Sequence, residues 1–237
     1  MRVCSLYSGG KDSNYALHWA VLHGFEVCCL GVVAPRGWES TLFHYPAVEL
    51  TRLQSQALGI PLVMVSELEA GGEWEALLSL VSRCAGRGAE GIVSGALLSD
   101  YQRLRFSIAA EEYGLKSYTP LWRIDQEEYM RSLVREGFRV LVVSVSAYGL
   151  PEGLAGRVLD EELVEEIIRR ARRYGFNPAF EGGEAETLVL DAPLFRSRLE
   201  VKGEAERLAP YHEVYHIREA RLVPKQPGDH EPGEPVA

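Results

Sequence analysis

A chain of 237 residues has room for one domain of typical size with a smaller companion, and 46% hydrophobic against 25% charged residues excludes an extended disordered chain. No apolar run reaches the length of a membrane span and the first residues read as a strand, not a leader, so the expected location is cytoplasmic, with no membrane association. The net charge of −9 disfavours a surface that neutralises a run of phosphates, so no stable nucleic-acid binding is expected, and Arg169, Arg170, Arg172 and Arg173 read as the solvated face of a helix.

Arg2 to Tyr7 reads as a short buried strand, and Asn14 to His23 carries Ala16, Leu17, Ala20 and Val21 at helical period. Ser8-Gly9-Gly10-Lys11-Asp12-Ser13 is then a strand-to-helix turn. Glycines let the backbone approach a ligand, and the N–H groups and positive dipole end of the helix that follows favour phosphate. The Walker A pattern needs Ser or Thr directly after its lysine; Lys11 is followed by Asp12, so this is not an ordinary P-loop.

Glu26 to Val33 is a second apolar strand, expected to pair parallel with the first, and residues 35–46 form a loop. Val48, Leu50, Leu53, Ala57 and Leu58 mark a helix, Pro61 to Val65 a third strand, Trp74 to Val81 a helix, and Gly91 to Gly95 a fourth strand. This alternation predicts an α/β domain with a doubly wound parallel sheet, whose ligands sit beyond the C-terminal strand ends. The first turn, the loop after the second strand, Ser94 and Gly95 would face one crevice. Cys28 and Cys29, adjacent on a strand, would point to opposite faces; with Cys4 and Cys84 they make no CxxC pair and read as buried reduced thiols.

Ser99 to Tyr113 is a polar helix, and residues 117–122 close a first domain ending at 124. The second part, 125–223, is a smaller α+β domain: helices over Asp125 to Glu136 and Asp160 to Tyr174, a strand over Phe138 to Ala147, and strand-like segments at 186–191, 198–202 and 211–223. Residues 224–237, with four prolines, read as a disordered tail.

Two further stretches carry chemistry. Glu181-Gly182-Gly183-Glu184-Ala185-Glu186-Thr187 precedes an apolar strand; it is either an exposed acidic turn or a set of carboxylates that bind a cation or accept a proton. In Ser99-Asp100-Tyr101-Gln102-Arg103-Leu104-Arg105, Ser99 or Asp100 can cap a helix, and Arg103 and Arg105, two apart, diverge too far to meet one phosphate together.

The first motif resembles the PP-loop, SGGxDS, of the N-type ATP pyrophosphatases, which cleave ATP between the α and β phosphates. Together with Phe43-His44, Ser99 to Arg105, Pro120-Leu121-Trp122, Gly149-Leu150, and Glu181 to Thr187 leading to Asp191, Pro193, Leu194 and Phe195, the chain resembles the diphthine–ammonia ligase family of PP-loop enzymes. Phe180 stands where that family usually has a glycine, and Ala185 where an aromatic residue is usual.

The resemblance implies ATP-dependent amidation of diphthine on translation elongation factor 2 with ammonium, through an acyl-adenylate, giving diphthamide, AMP and pyrophosphate. It implies a PP-loop ATP-binding domain over 1–124 and a substrate domain over 125–223. Ser8, Gly9, Gly10, Lys11, Asp12, Ser13, Ser94 and Gly95 would bind ATP, with Lys11 and Asp12 also catalytic and Asp12 holding Mg²⁺. Substrate binding falls to His44, Asp100, Tyr101, Arg103, Arg105, Glu181, Gly182, Gly183, Glu184, Glu186 and Thr187, with Glu186 the first choice of base. Diphthine carries a trimethylammonium group, for which Trp38, Tyr45, Tyr101, Trp122 and Phe180 are candidate aromatic faces. The two parts fill the length, leaving no room for a glutaminase domain; ammonia would be free or delivered by a partner, and a homo-oligomer is open. The rival readings are a PP-loop tRNA-modifying enzyme and a non-catalytic ATP-binding module.

Overall fold

The structure, a computed structural model, describes residues 1–35 and 47–225. The chain divides into two compact units, Met1–Ile124 and Asp125–Ala237.

In the first unit the strands β1 (Arg2–Leu6), β2 (Glu26–Ala34), β3 (Leu62–Ser66), β4 (Gly91–Val93) and β5 (Lys116–Tyr118) form one sheet in the order β3-β2-β1-β4-β5, every pair parallel. The helices α1 (Lys11–Leu22), α2 (Ala47–Leu58), α3 (Glu67–Ala70), α4 (Glu73–Gly86) and α5 (Asp100–Glu112) make the crossovers. This is the expected doubly wound sheet. Strand order reverses between β1 and β4, which places the loops after those two strands side by side. Among the described residues no helix is long and apolar enough to cross a membrane.

Three local expectations are corrected. Helix α1 begins at Lys11, not Asn14, so Lys11, Asp12 and Ser13 form its first turn and only Ser8, Gly9 and Gly10 make the connection. Strand β4 ends at Val93, leaving Ser94 and Gly95 in the loop after it. Cys28 and Cys29 do not face opposite ways. Val3 pairs with Val27 but Cys4 pairs with Cys29, so Cys28 is the extra residue of a β-bulge, and the bulge brings the two sulfurs to 3.8 Å. Cys29 and Cys84 are also 3.8 Å apart, and Cys4, Cys29 and Cys84 are all buried in the core with Leu77, Leu80 and Ile92.

In the second unit α6 (Gln126–Arg135) and α7 (Glu161–Tyr174) accompany an antiparallel sheet of β6 (Arg139–Val145), β7 (Ala185–Asp191), β8 (Ser197–Ala209) and β9 (His212–Pro224), ordered β7-β6-β9-β8. Asp125 and Asp160 cap the two helices by accepting the Glu128 and Leu163 N–H groups at 2.8 Å. The basic run of α7 is a paired surface: Arg172 with Glu127, Arg170 with Glu166 at 2.9 Å, and Glu165 of α7 with Arg131 of α6 at 2.6 Å. Strand β8 runs well past the expected 198–202. Its outer half is polar on both faces and is held by cross-strand pairs, Lys202 with Glu219 at 3.1 Å, Arg207 with Glu213 at 2.8 Å and Glu206 with His216 at 2.8 Å, so apolar alternation does not reveal it. Of the tail at 224–237, residues 226–237 lie outside the described residues.

Candidate active site

The N-cap of α1 is Gly10, with extended backbone and no side chain of its own to bond into the helix start. Gly9 has φ of 84°, a conformation glycine adopts without strain. Around it the turn is fixed from inside. Gln54 of α2, fully buried, donates Nε2–H to the Gly9 carbonyl at 2.9 Å; Asn14 donates to the Gly10 carbonyl at 3.0 Å, and the Tyr7 hydroxyl donates to Asn14 Oδ1 at 3.0 Å. Burial pushes the Tyr7 phenol above its usual range, with Asn14 offsetting only part, so it remains a donor. The Ser8 and Ser13 hydroxyls lie 3.2 Å apart, and Ser13 donates to the Gly10 carbonyl at 3.1 Å.

Lys11 is buried, with 3% of its side chain exposed, and its Nζ stands 2.9 Å from both Asp12 carboxylate oxygens. Gly95 closes the other wall: a Cβ there would lie 2.8 Å from the Ser13 nitrogen. The structure thus brings Ser8 to Ser13 and Gly95 into one cradle of backbone donors with one cation and one carboxylate, and places buried Ser94 directly before it. Gln54 and Asn14 brace this turn and were not among the expected site residues. For Gln54 a signal existed: it occupies the buried stripe with Leu50, Ala57 and Leu58, where a polar side chain needs a partner.

Along α5, Ser99 is the cap, accepting Gln102 N–H at 3.2 Å, while Asp100 is exposed and pairs with Arg103 at 3.2 Å. The two arginines diverge as expected. Arg103 lies over the Trp122 ring at 4.7 Å; Arg105 lies over Trp74 and Tyr101, each at 5.1 Å, and reaches Glu73 at 3.6 Å. Each guanidinium sits on a face that the cage for trimethylammonium would use on Tyr101 or Trp122. His44, Trp38 and Tyr45 lie outside the described residues.

In the second unit the acidic stretch is a tight loop entering β7. Its three carboxylates do not converge on one role. Glu184 braces the loop, accepting Asn177 N–H at 2.8 Å and Gly182 N–H at 2.7 Å, while Glu181 is half-buried and Glu186 exposed. Thr187 lies in β7 opposite Val142. Phe180 is buried at φ of 65°, the left-handed conformation that the glycine usual in that family position would adopt, and its N–H bonds to the Asn177 carbonyl at 3.0 Å. Ser146, just after β6, binds the loop twice, donating its backbone N–H to the Glu184 carbonyl and its hydroxyl to the Gly183 carbonyl, both at 2.8 Å.

One further set could hold a metal: the Cys4, Cys29 and Cys84 sulfurs lie within 4.8 Å of one another. Hydrogen bonding to Cys29 and Cys84, with burial, holds the Cys4 thiol well above its usual range, while hydrogen bonds with Cys29 and Cys4 draw the Cys84 thiol below its own.

Two family models match the chain, the diphthamide synthase N-terminal domain over residues 1–117 and the diphthamide synthase C-terminal domain over residues 125–223. The chain is 30% identical over 220 residues to the human diphthine–ammonia ligase, covering 84% of this chain and 82% of that one. It is 28% identical over 260 residues to the rat enzyme of the same name, covering 98% and 97%. The Schizosaccharomyces pombe diphthine–ammonia ligase is 32% identical over 217 residues, of which this chain spans only 36% of the relative's length. A solved structure described as a predicted subunit of tRNA methyltransferase from Methanocaldococcus jannaschii covers 81% of this chain and 98% of that one at 16% identity with a TM-score of 0.43, a likeness that carries no argument. With a glycine-walled phosphate turn in the first unit, a braced acidic loop in the second, and these matches across both, the chain belongs to the diphthine–ammonia ligase family of ligases.

Proposed function

We propose that this protein amidates the carboxylate of diphthine on translation elongation factor 2 with ammonia, at the expense of ATP, to give diphthamide, AMP and pyrophosphate. The observation that carries the ATP half is the apposition of Gly95 to the first turn of α1, which sets a glycine-capped helix start beside a buried lysine.

A carboxylate cannot expel oxide, so its oxygen first attacks the α-phosphorus of ATP, the α–β bond breaks, and pyrophosphate leaves. The N–H groups of the Gly9 to Ser13 turn and the Lys11 ammonium hold the departing negative charge, and Ser8, Ser13, Ser94 and Gly95 shape the cradle around it. Asp12 would be the carboxylate that holds Mg²⁺, which would supply positive charge against the phosphates. Ammonium must lose a proton before it attacks the acyl carbon; AMP then departs. Glu186, exposed at the start of β7, is the base, with Glu181 beside it in sequence and Glu184 occupied in bracing the loop. Asp100, Tyr101, Arg103, Arg105 and His44 would contribute to the protein-substrate side.

The test supplies ATP, ammonium and diphthine-bearing elongation factor 2 and measures AMP and diphthamide. Equimolar AMP and diphthamide support the reading. AMP formed only with tRNA would favour a tRNA-modifying enzyme, and ATP binding without turnover a non-catalytic module; either result sinks the proposal.

A further inference from the structure

Of the aromatic faces expected to hold a quaternary ammonium, Tyr101 and Trp122 each carry a guanidinium, Phe180 is buried, and Trp38 and Tyr45 lie outside the described residues, yet the second unit builds another set. Tyr148 follows β6, Tyr174 ends α7 and Tyr211 sits in the two-residue turn between β8 and β9. Their rings meet at one place: Tyr148 to Tyr174 at 5.3 Å between centroids and 74° between planes, Tyr148 to Tyr211 at 5.0 Å and 80°. Two rings standing nearly perpendicular to the third make a corner, not a stack. Large aromatics clustered yet 60%, 37% and 56% exposed are not a core; they are a surface left open. Gly149 permits the corner, since at φ of 96° it brings the loop so close to Tyr174 that a Cβ would stand 2.6 Å from that ring.

The corner opens on a cavity of about 130 Å³, lined also by Glu152, Glu213 and Arg170. That is head-group size, below the roughly 300–1,000 Å³ of pockets that swallow a whole ligand. Its charges favour a cation over an anion. Arg170 is committed, with Nε on Glu166 at 2.9 Å and Nη1 on the Gly149 carbonyl at 3.3 Å. Arg207, which does not line the cavity, pairs with Glu213 at 2.8 Å and Glu152 at 3.4 Å. Arg173 already lies over the Tyr174 ring at 5.2 Å, a cation drawn to these π faces, and a methylated cation needs only π faces and carboxylates nearby and asks for no hydrogen bond.

Position supports the same occupant. Ser146, two residues before Tyr148, is the residue that anchors the acidic loop through Gly183 and Glu184, and Val145, which lines the cavity, pairs with Ala185. In diphthine one carbon bears both the trimethylammonium and the carboxylate to be amidated, so an ammonium pocket must neighbour the loop that serves the carboxylate. We infer that the Tyr148–Tyr174–Tyr211 corner receives the trimethylammonium group of the substrate, an inference that rests on the proposed function.

The full-length protein is titrated by NMR with choline and with its neutral isostere 3,3-dimethyl-1-butanol, in wild type, Tyr148→Phe, Tyr148→Leu and Tyr211→Leu, each checked for an unchanged melting temperature. The expected result is that the cation binds wild type and Tyr148→Phe alike, more tightly than the isostere, and loses roughly 3- to 30-fold in the two leucine variants. With diphthine-bearing elongation factor 2, the leucine variants should raise KM more than they lower kcat. Equal binding of cation and isostere, or a KM unmoved in both leucine variants, overturns the inference. Discriminating binding by a wild type that makes no diphthamide would sink the proposed reaction and leave the pocket standing; turnover with unmoved KM would sink the pocket alone.

Discussion

Gly95 lies against the backbone of Asp12: a Cβ added there would stand 2.5 Å from the Asp12 carbonyl carbon, where no side chain fits. The loop after β4 and the first turn of α1 are therefore one packed unit, and the position of the turn's donors depends on a residue far from them in sequence. Gly95→Ala must push the two apart. It should cost about 1–3 kcal/mol of stability and weaken ATP binding at least about tenfold, read by calorimetry. An alanine variant that binds ATP normally would show that the apposition does not set the site.

Phe180 pays a backbone penalty of about 1–2 kcal/mol for its left-handed conformation, and its buried ring offsets it. Removing a buried Phe side chain costs about 3–5 kcal/mol. Phe180→Gly, the residue usual in the family, should therefore lower stability in denaturant by about 2 kcal/mol, the difference between the two. A rise in stability would mean that the ring anchors nothing.

Glu184 and Glu186 should separate cleanly. Glu184→Ala removes the acceptor for two backbone N–H groups and should loosen the loop, at about 1.5–3 kcal/mol per charged hydrogen bond. Glu186→Gln should leave stability within about 0.5 kcal/mol while slowing ammonia-dependent turnover by about 10²–10⁴-fold. Thermal melts beside diphthamide formation distinguish the two, and normal turnover in Glu186→Gln removes it as the base.

Glu213 gives a pH dependence. Burial opposes its ionisation, but the Gly153 N–H at 3.1 Å and the Arg207 guanidinium outweigh it and hold the carboxyl below the ordinary range. A folded-state value below the unfolded one, about 4.3, stabilises above that pH and loses its contribution as pH falls through the folded value. Glu213→Gln should thus be less stable than wild type at pH 7 and converge with it as pH falls through the folded value, below the unfolded one. A gap that persists undiminished in acid would show that charge is not what Glu213 contributes.

How far the sequence could be read depended on whether the cause was local. The α/β alternation of the first unit and the helices expected from Asp125 and Asp160 follow from patterns a few residues long, and the structure reproduces them, with each aspartate as the N-cap. The outer half of β8 was not legible, because Lys202, Glu206 and Arg207 are fixed by partners on β9 and not by burial. Nor was the Cys28 bulge, since a one-residue slip in pairing leaves no mark on a strand's own composition.

By itself the sequence determined the strand-to-helix turn: Ser8 to Ser13 is a contiguous motif of two glycines, a helix start and one lysine, the makings of a phosphate site. It also determined the family, through motifs whose order needs no fold to be seen. Only the tertiary structure decided what surrounds them. Strand order set Gly95 on Asp12 and Gln54 under Gly9, and the antiparallel sheet gathered Tyr148, Tyr174 and Tyr211 from three separate elements. Such contacts are decided by which strands pair and in what register, a property of the whole chain that no single stretch of it carries.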